Sequence, residues 1–130
     1  MKYHLGFNLI ELMITLVIIG LLTSILLPSY NEYVLQSRRS QGIAMLMEVM
    51  QHQERFFTEQ ITYSSDLSAL GLTVPVLSKN EHYIISASRC GSTAINRCVQ
   101  LTATPQGIQA GDGNIMLNSL GERSPDNYWK

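Results

Sequence analysis

The sequence predicts an α+β chain. One long N-terminal helix, membrane-spanning in its first half and amphipathic in its second, packs on a small antiparallel sheet of three or four strands. Three observations carry this expectation. From Phe7 to Leu27 the chain is apolar with a single charge, Glu11. As a helix at ~1.5 Å per residue that run is about 32 Å long, enough to cross a hydrocarbon core of ~30 Å. Beyond it, from Ser29 to about Thr58, Ile43, Leu46, Met47, Met50 and Phe57 repeat at helical spacing and mark one apolar face. From His82 onward, short alternating runs are separated by turn residues, the pattern of strands in a sheet.

The first element holds the anomaly. A carboxylate at mid-membrane costs ~2.5–3.5 kcal/mol even on the mild insertion scales. Glu11 sits near one end of its run, which lowers the cost, but it still needs a positive partner. A cut after Gly6 would create one, the new α-amino group. Further along, Gly20 lowers helix propensity by ~1 kcal/mol relative to Ala. Pro28 removes a hydrogen bond and crowds the carbonyl of Ser24, at ~3 kcal/mol in a helix interior. The stretch between them is the weak part of the helix, and Thr23 and Ser24 are placed to satisfy a freed carbonyl there. Tyr30 and Tyr33 suit a membrane–water boundary. Arg38-Arg39 reads as a solvated face just outside it, and the methionines Met45, Met47 and Met50 read as core filler.

Residues 59–80 connect helix to sheet. Ser64 to Gly71 has the form of a short capped helical turn that ends at glycine, and Lys79-Asn80 is a turn signal. Three strands are expected, at 83–88, 98–104 and 114–118, with Val99, Leu101 and Ala103 on one face and Pro105 as a stop. The Gly111-Asp112-Gly113 turn precedes the third. The tail from Gly121 to Lys130 is expected to fold back over the sheet.

Composition narrows the function. Nine Lys and Arg against ten Asp and Glu give a net charge of −1, which is no polyanion-binding signature. The two cysteines, Cys90 and Cys98, are too few for a structural zinc site without other ligands, and the three histidines are scattered. If the head faces the periplasm or the exterior, a Cys90–Cys98 disulfide is permitted and is preferred over a metal. No nucleophile elbow, P-loop or G-x-G-x-x-G occurs, and Gly111-Asp112-Gly113-Asn114 lacks the spacing of a calcium loop. No catalytic activity, cofactor or metal is expected. Arg89, Arg97 and Lys79 are read as solvated charges near the cysteine hairpin, with DNA contact as the minority alternative.

The N-terminal pattern resembles the class III signal of type IV prepilins: a short basic leader with Lys2, then Gly6, Phe7, and Glu11 at the fifth position after the glycine. Asn8 stands where Thr or Ser is more usual. The resemblance implies that a prepilin peptidase cuts between Gly6 and Phe7 and methylates the Phe7 amine. It further implies that Glu11 is the assembly contact, and that Gly20 and Pro28 are the helix-weakening positions of this family. The implied organisation is a cleaved leader at 1–6, a transmembrane and assembly helix at 7–28, and a globular pilin head at 29–130. The connecting segment 59–80 corresponds to the variable surface loop of pilins.

The C-terminal half is similar to the PilE group of minor pilins. It shares Leu101-Thr102-Ala103-Thr104-Pro105-Gln106-Gly107, Leu117 to Arg123, and a tryptophan near the end, Trp129. Many members carry one cysteine before the last strand and another before that tryptophan. Here Asp112 or Gly113 and Tyr128 stand in those places, so the C-terminal disulfide loop is absent.

The expected function is therefore structural. The chain would be a minor-pilin-like subunit, held in the bacterial inner membrane with its head in the periplasm and then assembled into an extracellular type IV pilus for adhesion, twitching motility or DNA uptake. Its implied partners are other major and minor pilins, the prepilin peptidase, the inner-membrane assembly platform and membrane lipid. The alternatives are a type II secretion pseudopilin, a DNA-binding minor pilin for competence, and a single-pass membrane protein with no filament role.

Overall fold

The computed structural model describes residues 6–130. Helix α1 runs Leu9–Gln60. It begins where the Asn8 carbonyl accepts from the N–H groups of Glu11 and Leu12, at 3.0 and 3.3 Å. Glu11 lies in its first turn, where the helix dipole favours a carboxylate. The chain divides into two compact units, one ending at Val34 and one running Leu35–Lys130.

In the first unit the described side chains from Gly6 to Leu27 are all exposed, and the helix is long and apolar enough to cross a membrane. Helical backbone continues through Gly20 and Pro28. The Thr23 hydroxyl donates to the carbonyls of Ile19 and Gly20, at 2.6 and 3.2 Å, and the Ser24 hydroxyl donates to that of Leu21, at 2.7 Å. These hydroxyls therefore bond carbonyls of the preceding turn and not the Ser24 carbonyl that Pro28 deprives of a donor.

The second unit is a five-stranded antiparallel sheet covered on one face by the second half of α1. The strands are β1 (Val76–Leu77), β2 (Tyr83–Arg89), β3 (Val99–Pro105), β4 (Ile115–Asn118) and β5 (Arg123–Ser124), in sequential order across the sheet. The three long strands fall where alternation places them, with Pro105 as the last residue of β3. The additional two are edge strands of two residues, too short to show a period. The tail first extends the sheet as β5, with Met116 opposite Ser124 and Leu117 opposite Arg123, and then turns back so that Tyr128 and Trp129 pack against the core.

The helix face that meets the sheet is Gly42, Leu46, Val49 and Gln53, spaced i, i+4, i+7, i+11 and all buried. Ile43 and Met50 flank it, while Met47 is 40 % exposed. The core opposite is Tyr83, Ile85, Val99, Leu101, Ala103, Ile115 and Leu117, closed at one side by Leu67 and Val76. Two members of the helix stripe are not apolar, and each has a specific reason. At Gly42 an added Cβ would stand 3.0 Å from Cγ and Cδ2 of the fully buried Tyr83 ring. The glycine lets the ring lie against the helix backbone. At Gln53 the amide closes a two-way clamp on the returning chain. Its Nε2 donates to the Ser64 carbonyl at 2.6 Å, and its Oε1 accepts from the Ser64 N–H at 3.0 Å. Just beyond, the short 3₁₀ turn Leu67–Leu70 is capped by the Asp66 carboxylate and ends at Gly71 with φ 78°.

A second polar assembly ties the start of the head's helix to the loop before β4. Arg39 grips Asp112 with two guanidinium nitrogens, Nε at 2.7 Å and NH2 in a closer approach; their side chains are 16 % and 5 % exposed. The same carboxylate accepts from the Tyr83 hydroxyl at 2.9 Å and from Gln109 Nε2 at 2.8 Å. Gln109 Nε2 also reaches the Leu35 carbonyl at 3.5 Å, and its Oε1 accepts from Arg38 at 3.4 Å. The Arg39 guanidinium lies 4.3 Å from the Tyr128 ring centroid, and the Tyr128 hydroxyl donates to the Asp112 carbonyl at 3.4 Å. Arg38-Arg39 is thus no solvated doublet: both side chains are half-buried and engaged. Asp112 and Tyr128 meet here through that hydrogen bond.

Burial alone would raise the Asp112 carboxyl. Its hydrogen bonds from Arg39, Tyr83 and Gln109, together with the Arg39 charge, hold it below the usual carboxylate range. Burial first, and then the bond to Asp112, push the Tyr83 phenol up.

Two outcomes are expected of thermal melts of the full chain in detergent, followed by near-ultraviolet circular dichroism. Gly42→Ala should destabilise the head by about 1–3 kcal/mol through overpacking, although alanine is the better helix former. The ring cannot retreat, because its hydroxyl is held by Asp112. An unchanged or higher melting temperature would show that the ring yields. Asp112→Asn should cost about 2–4 kcal/mol near neutral pH by stranding the Arg39 charge. Because the folded Asp112 value is depressed, its contribution is complete above about pH 4, the unfolded carboxyl range, and is lost as pH falls through the folded value. The gap between wild type and variant should therefore narrow below pH 4; a gap constant with pH would contradict the pairing.

Candidate nucleic-acid interface

The turn between β2 and β3 is the most constrained loop of the head. Cys90 and Cys98 form a disulfide with their Cα atoms 5.5 Å apart. Inside it, the Thr93 N–H donates to the Cys90 carbonyl at 2.9 Å, and the Arg97 and Cys98 N–H groups donate to that of Ala94 at 2.9 and 3.2 Å. Ile95 tucks against the core. These contacts hold Gly91 to Ala94, Asn96 and Arg97 as an exposed tip. Of the cationic residues expected near it, Arg89 and Arg97 are brought together. Arg89 is the cross-strand partner of Val99, and Arg97 lies two residues before Val99. Lys79 is not part of the group. It sits in the β1–β2 turn, at the far end of β2, roughly 20 Å away at 3.4 Å per residue.

Charge is unevenly distributed. From His82 to Gly111, through β2, the tip and β3, the chain contains no Asp or Glu. The two arginines there face no acid of their own hairpin. On the sheet surface away from α1, alternation places Ser86 and Ser88 of β2 and Gln100, Thr102 and Thr104 of β3. These are uncharged hydrogen-bonding groups. Arg89, opposite the buried Val99, lies on the other face of the sheet from these groups. Guanidinium groups are donors that bind phosphodiester oxygens. The acid-free run is visible in the sequence, but it is an absence, and motif searches register presences.

The same end of the sheet carries the β4–β5 turn. The Ser119 N–H donates to the Val99 carbonyl at 2.9 Å, and the Ser119 hydroxyl accepts from the Val99 N–H at 3.3 Å. The hairpin therefore sits beside a second ordered loop. Among the described residues no group of three or more His, Cys, Asp or Glu side chains is arranged to hold a metal ion.

Of the N-terminal residues singled out by the sequence, Gly6 and Phe7 precede α1 as exposed chain, and Glu11 and Gly20 lie on its exposed surface. The remaining leader residues, 1–5, fall outside the described residues.

Comparison with known proteins adds two family matches. Residues 28–115 match the family described as type IV minor pilin ComP, DNA uptake sequence receptor. Residues 1–27 match the prokaryotic N-terminal methylation motif. Among similar chains, the fimbrial protein EcpC of Eikenella corrodens is 28% identical over 80% of this chain and 68% of its own length. The type IV major pilin protein PilA of Myxococcus xanthus is 30% identical over 79% of this chain and 46% of its own length. The type IV major fimbrial protein FimA of Dichelobacter nodosus is 45% identical, over 31% of this chain and 25% of its own. The chain thus spans about two thirds of EcpC and under half of PilA. The ComP match takes in the head's helix, the stapled hairpin and the start of β4, and it stops before β5 and the tail. The chain belongs to the type IV pilins, in the ComP family of minor pilins, and is a structural subunit of a type IV pilus.

Proposed function

We propose that this subunit is a DNA-uptake receptor, a pilin that displays its β2–β3 hairpin on the filament to capture duplex DNA. The observation that supports this most is the acid-free hairpin bearing Arg89 and Arg97 on a disulfide-stapled tip. A rigid tip loses little conformational freedom on binding, so a small number of charges is enough for measurable affinity. The ComP match promotes this reading over solvated charges. The receptor role holds no chemistry: the subunit binds, and the pilus machinery moves it.

Reaching the filament follows from the N-terminal residues. In this reading the prepilin peptidase cuts between Gly6 and Phe7 and methylates the Phe7 amine. The subunit rests in the inner membrane through residues 7–28 with its head, 29–130, in the periplasm, where the disulfide can form. The assembly platform then adds it to a filament of other pilins. Glu11 needs a cation in an apolar bundle, and the Phe7 amine of a neighbouring subunit supplies one; methylation preserves its charge. Gly20 and Pro28 leave the intervening helix ready to unwind when subunits pack.

Binding of the full chain, in detergent, to fluorescent duplex DNA tests the receptor role. Arg89→Ala with Arg97→Ala should weaken binding and lower the slope of log affinity against log salt by about two, close to one for each phosphate no longer neutralised. An unchanged affinity and slope would place DNA elsewhere or nowhere on the head. Filament entry is tested separately. Glu11→Ala should leave insertion and cleavage intact but sharply reduce the amount of this subunit in sheared pili relative to its membrane pool, since a stranded partner costs ~3–5 kcal/mol. Normal incorporation would remove Glu11 as the assembly contact.

A further inference from the structure

The β4–β5 turn is built with more hydrogen bonds than its size requires. Asn118 is buried, and its side chain is committed to the turn. Its Oδ1 accepts from the N–H groups of Leu120 and Glu122, at 3.1 and 2.9 Å, and its Nδ2 donates to Glu122 Oε2 at 2.6 Å. Its backbone carbonyl accepts from Gly121, which takes the left-handed φ of 86°. Ser119 is strapped to Val99 on both sides. The residue all this holds in place is Leu120, and Leu120 is 69 % exposed. A lone surface leucine is ordinary. A leucine presented by a turn organised around a buried asparagine, at the end of the sheet that carries two arginines, is a prearranged contact.

Val99 fixes where that contact stands. It pairs with Arg89 across the strands, follows Arg97 by two residues, and bonds Ser119, the neighbour of Leu120. The nearest carboxylate on the turn, Glu122, is drawn onto Asn118. Ser119 bonds Val99 from the β4 side of β3, so Leu120 stands across β3 from Arg89 with the arginines to one side of it. An exposed apolar side chain backed by cationic groups is the kind of element with which proteins part stacked base pairs from the minor groove.

We propose that Leu120 is an apolar wedge that enters one base step of duplex DNA from the minor groove, unstacks it and kinks the duplex, while Arg89 and Arg97 hold phosphates to one side of it. This rests on the receptor reading given above. It also deepens it, because a wedge confers preference: pyrimidine–purine steps such as TA and CA/TG unstack most readily, so the bound sequences should carry one at the kink.

The test uses the full chain in detergent. Duplexes enriched from a random pool on the wild-type chain are labelled at both ends for energy transfer, with 2-aminopurine at successive steps to report unstacking. The wild type should shorten the end-to-end distance and brighten one step. Leu120→Ala should abolish both signals and weaken binding about tenfold, the order of one specific contact. Leu120→Met, which keeps a wedge, should retain them. If Leu120→Ala binds and kinks as the wild type does, the wedge is wrong while the receptor role stands. A variant that kinks DNA normally but is depleted from pili would make Leu120 a subunit contact instead and overturn the wedge. If no duplex is enriched on the wild type, the receptor reading itself falls and the wedge with it.

Discussion

The carboxylate of Asp112 cannot leave the interior of the head without stranding the guanidinium of Arg39, and four segments are organised by that coupling. Arg39 brings the first turns of the head's helix, Asp112 and Gln109 bring the loop before β4, Tyr83 brings the start of β2, and Tyr128 brings the C-terminal turn. Each partner answers one site on the carboxylate or stacks on its cation, so the group is fully satisfied, and a satisfied polar cluster specifies one arrangement where an apolar patch would accept several. The Tyr83 ring then fixes the helix itself, because its hydroxyl is held at one end of the ring and Gly42 receives the other. The region is closed by an ion pair and hydrogen bonds, none of which depends on the redox state around it.

Much of this architecture is legible in the sequence, and the part that is not has a common cause. Periodicity exposes α1 and the three long strands because each repeats its signal several times. It does not expose β1 or β5, whose two residues complete no period. It misplaces the buried helix stripe by including Met47 and omitting Gly42, Val49 and Gln53. The glycine and glutamine count as polar until the ring and the Ser64 backbone are in view. Arg39 and Asp112 are 73 residues apart, so no local pattern links them. The cysteine pair is legible from count and spacing, and the N-terminal signal from Gly6, Phe7 and Glu11. Lys79 reads as a neighbour of the arginines because sequence distance understates the length of an extended strand.

The division of labour in the chain follows from these constraints. The long continuous apolar surface lies in the stretch before the head, while the head exposes only scattered apolar side chains such as Ile61, Ile108 and Leu120. Most of the head's acidic residues sit on α1 and in turns, leaving the hairpin cationic although the whole chain is slightly negative. With a net charge near zero, the chain as a whole exerts no general pull on polyanions, so any such attraction has to come from a local positive edge.

The Gln53 clamp has a bearing on how such heads diversify. Ser64 is pinned to α1 by two hydrogen bonds, and Val76 is pinned in register opposite Ile85, so both ends of the intervening segment are fixed independently of what lies between. Leu67 anchors its middle in the core, but Thr73, Val74 and Pro75 are exposed. Added residues there lengthen a loop whose ends are already held, and each doubling of such a loop costs only about 0.6 kcal/mol in closure entropy. The head thus carries a permissive stretch just before β1. New surface chemistry, or an inserted epitope, can be accommodated there without disturbing the helix, the sheet or the hairpin.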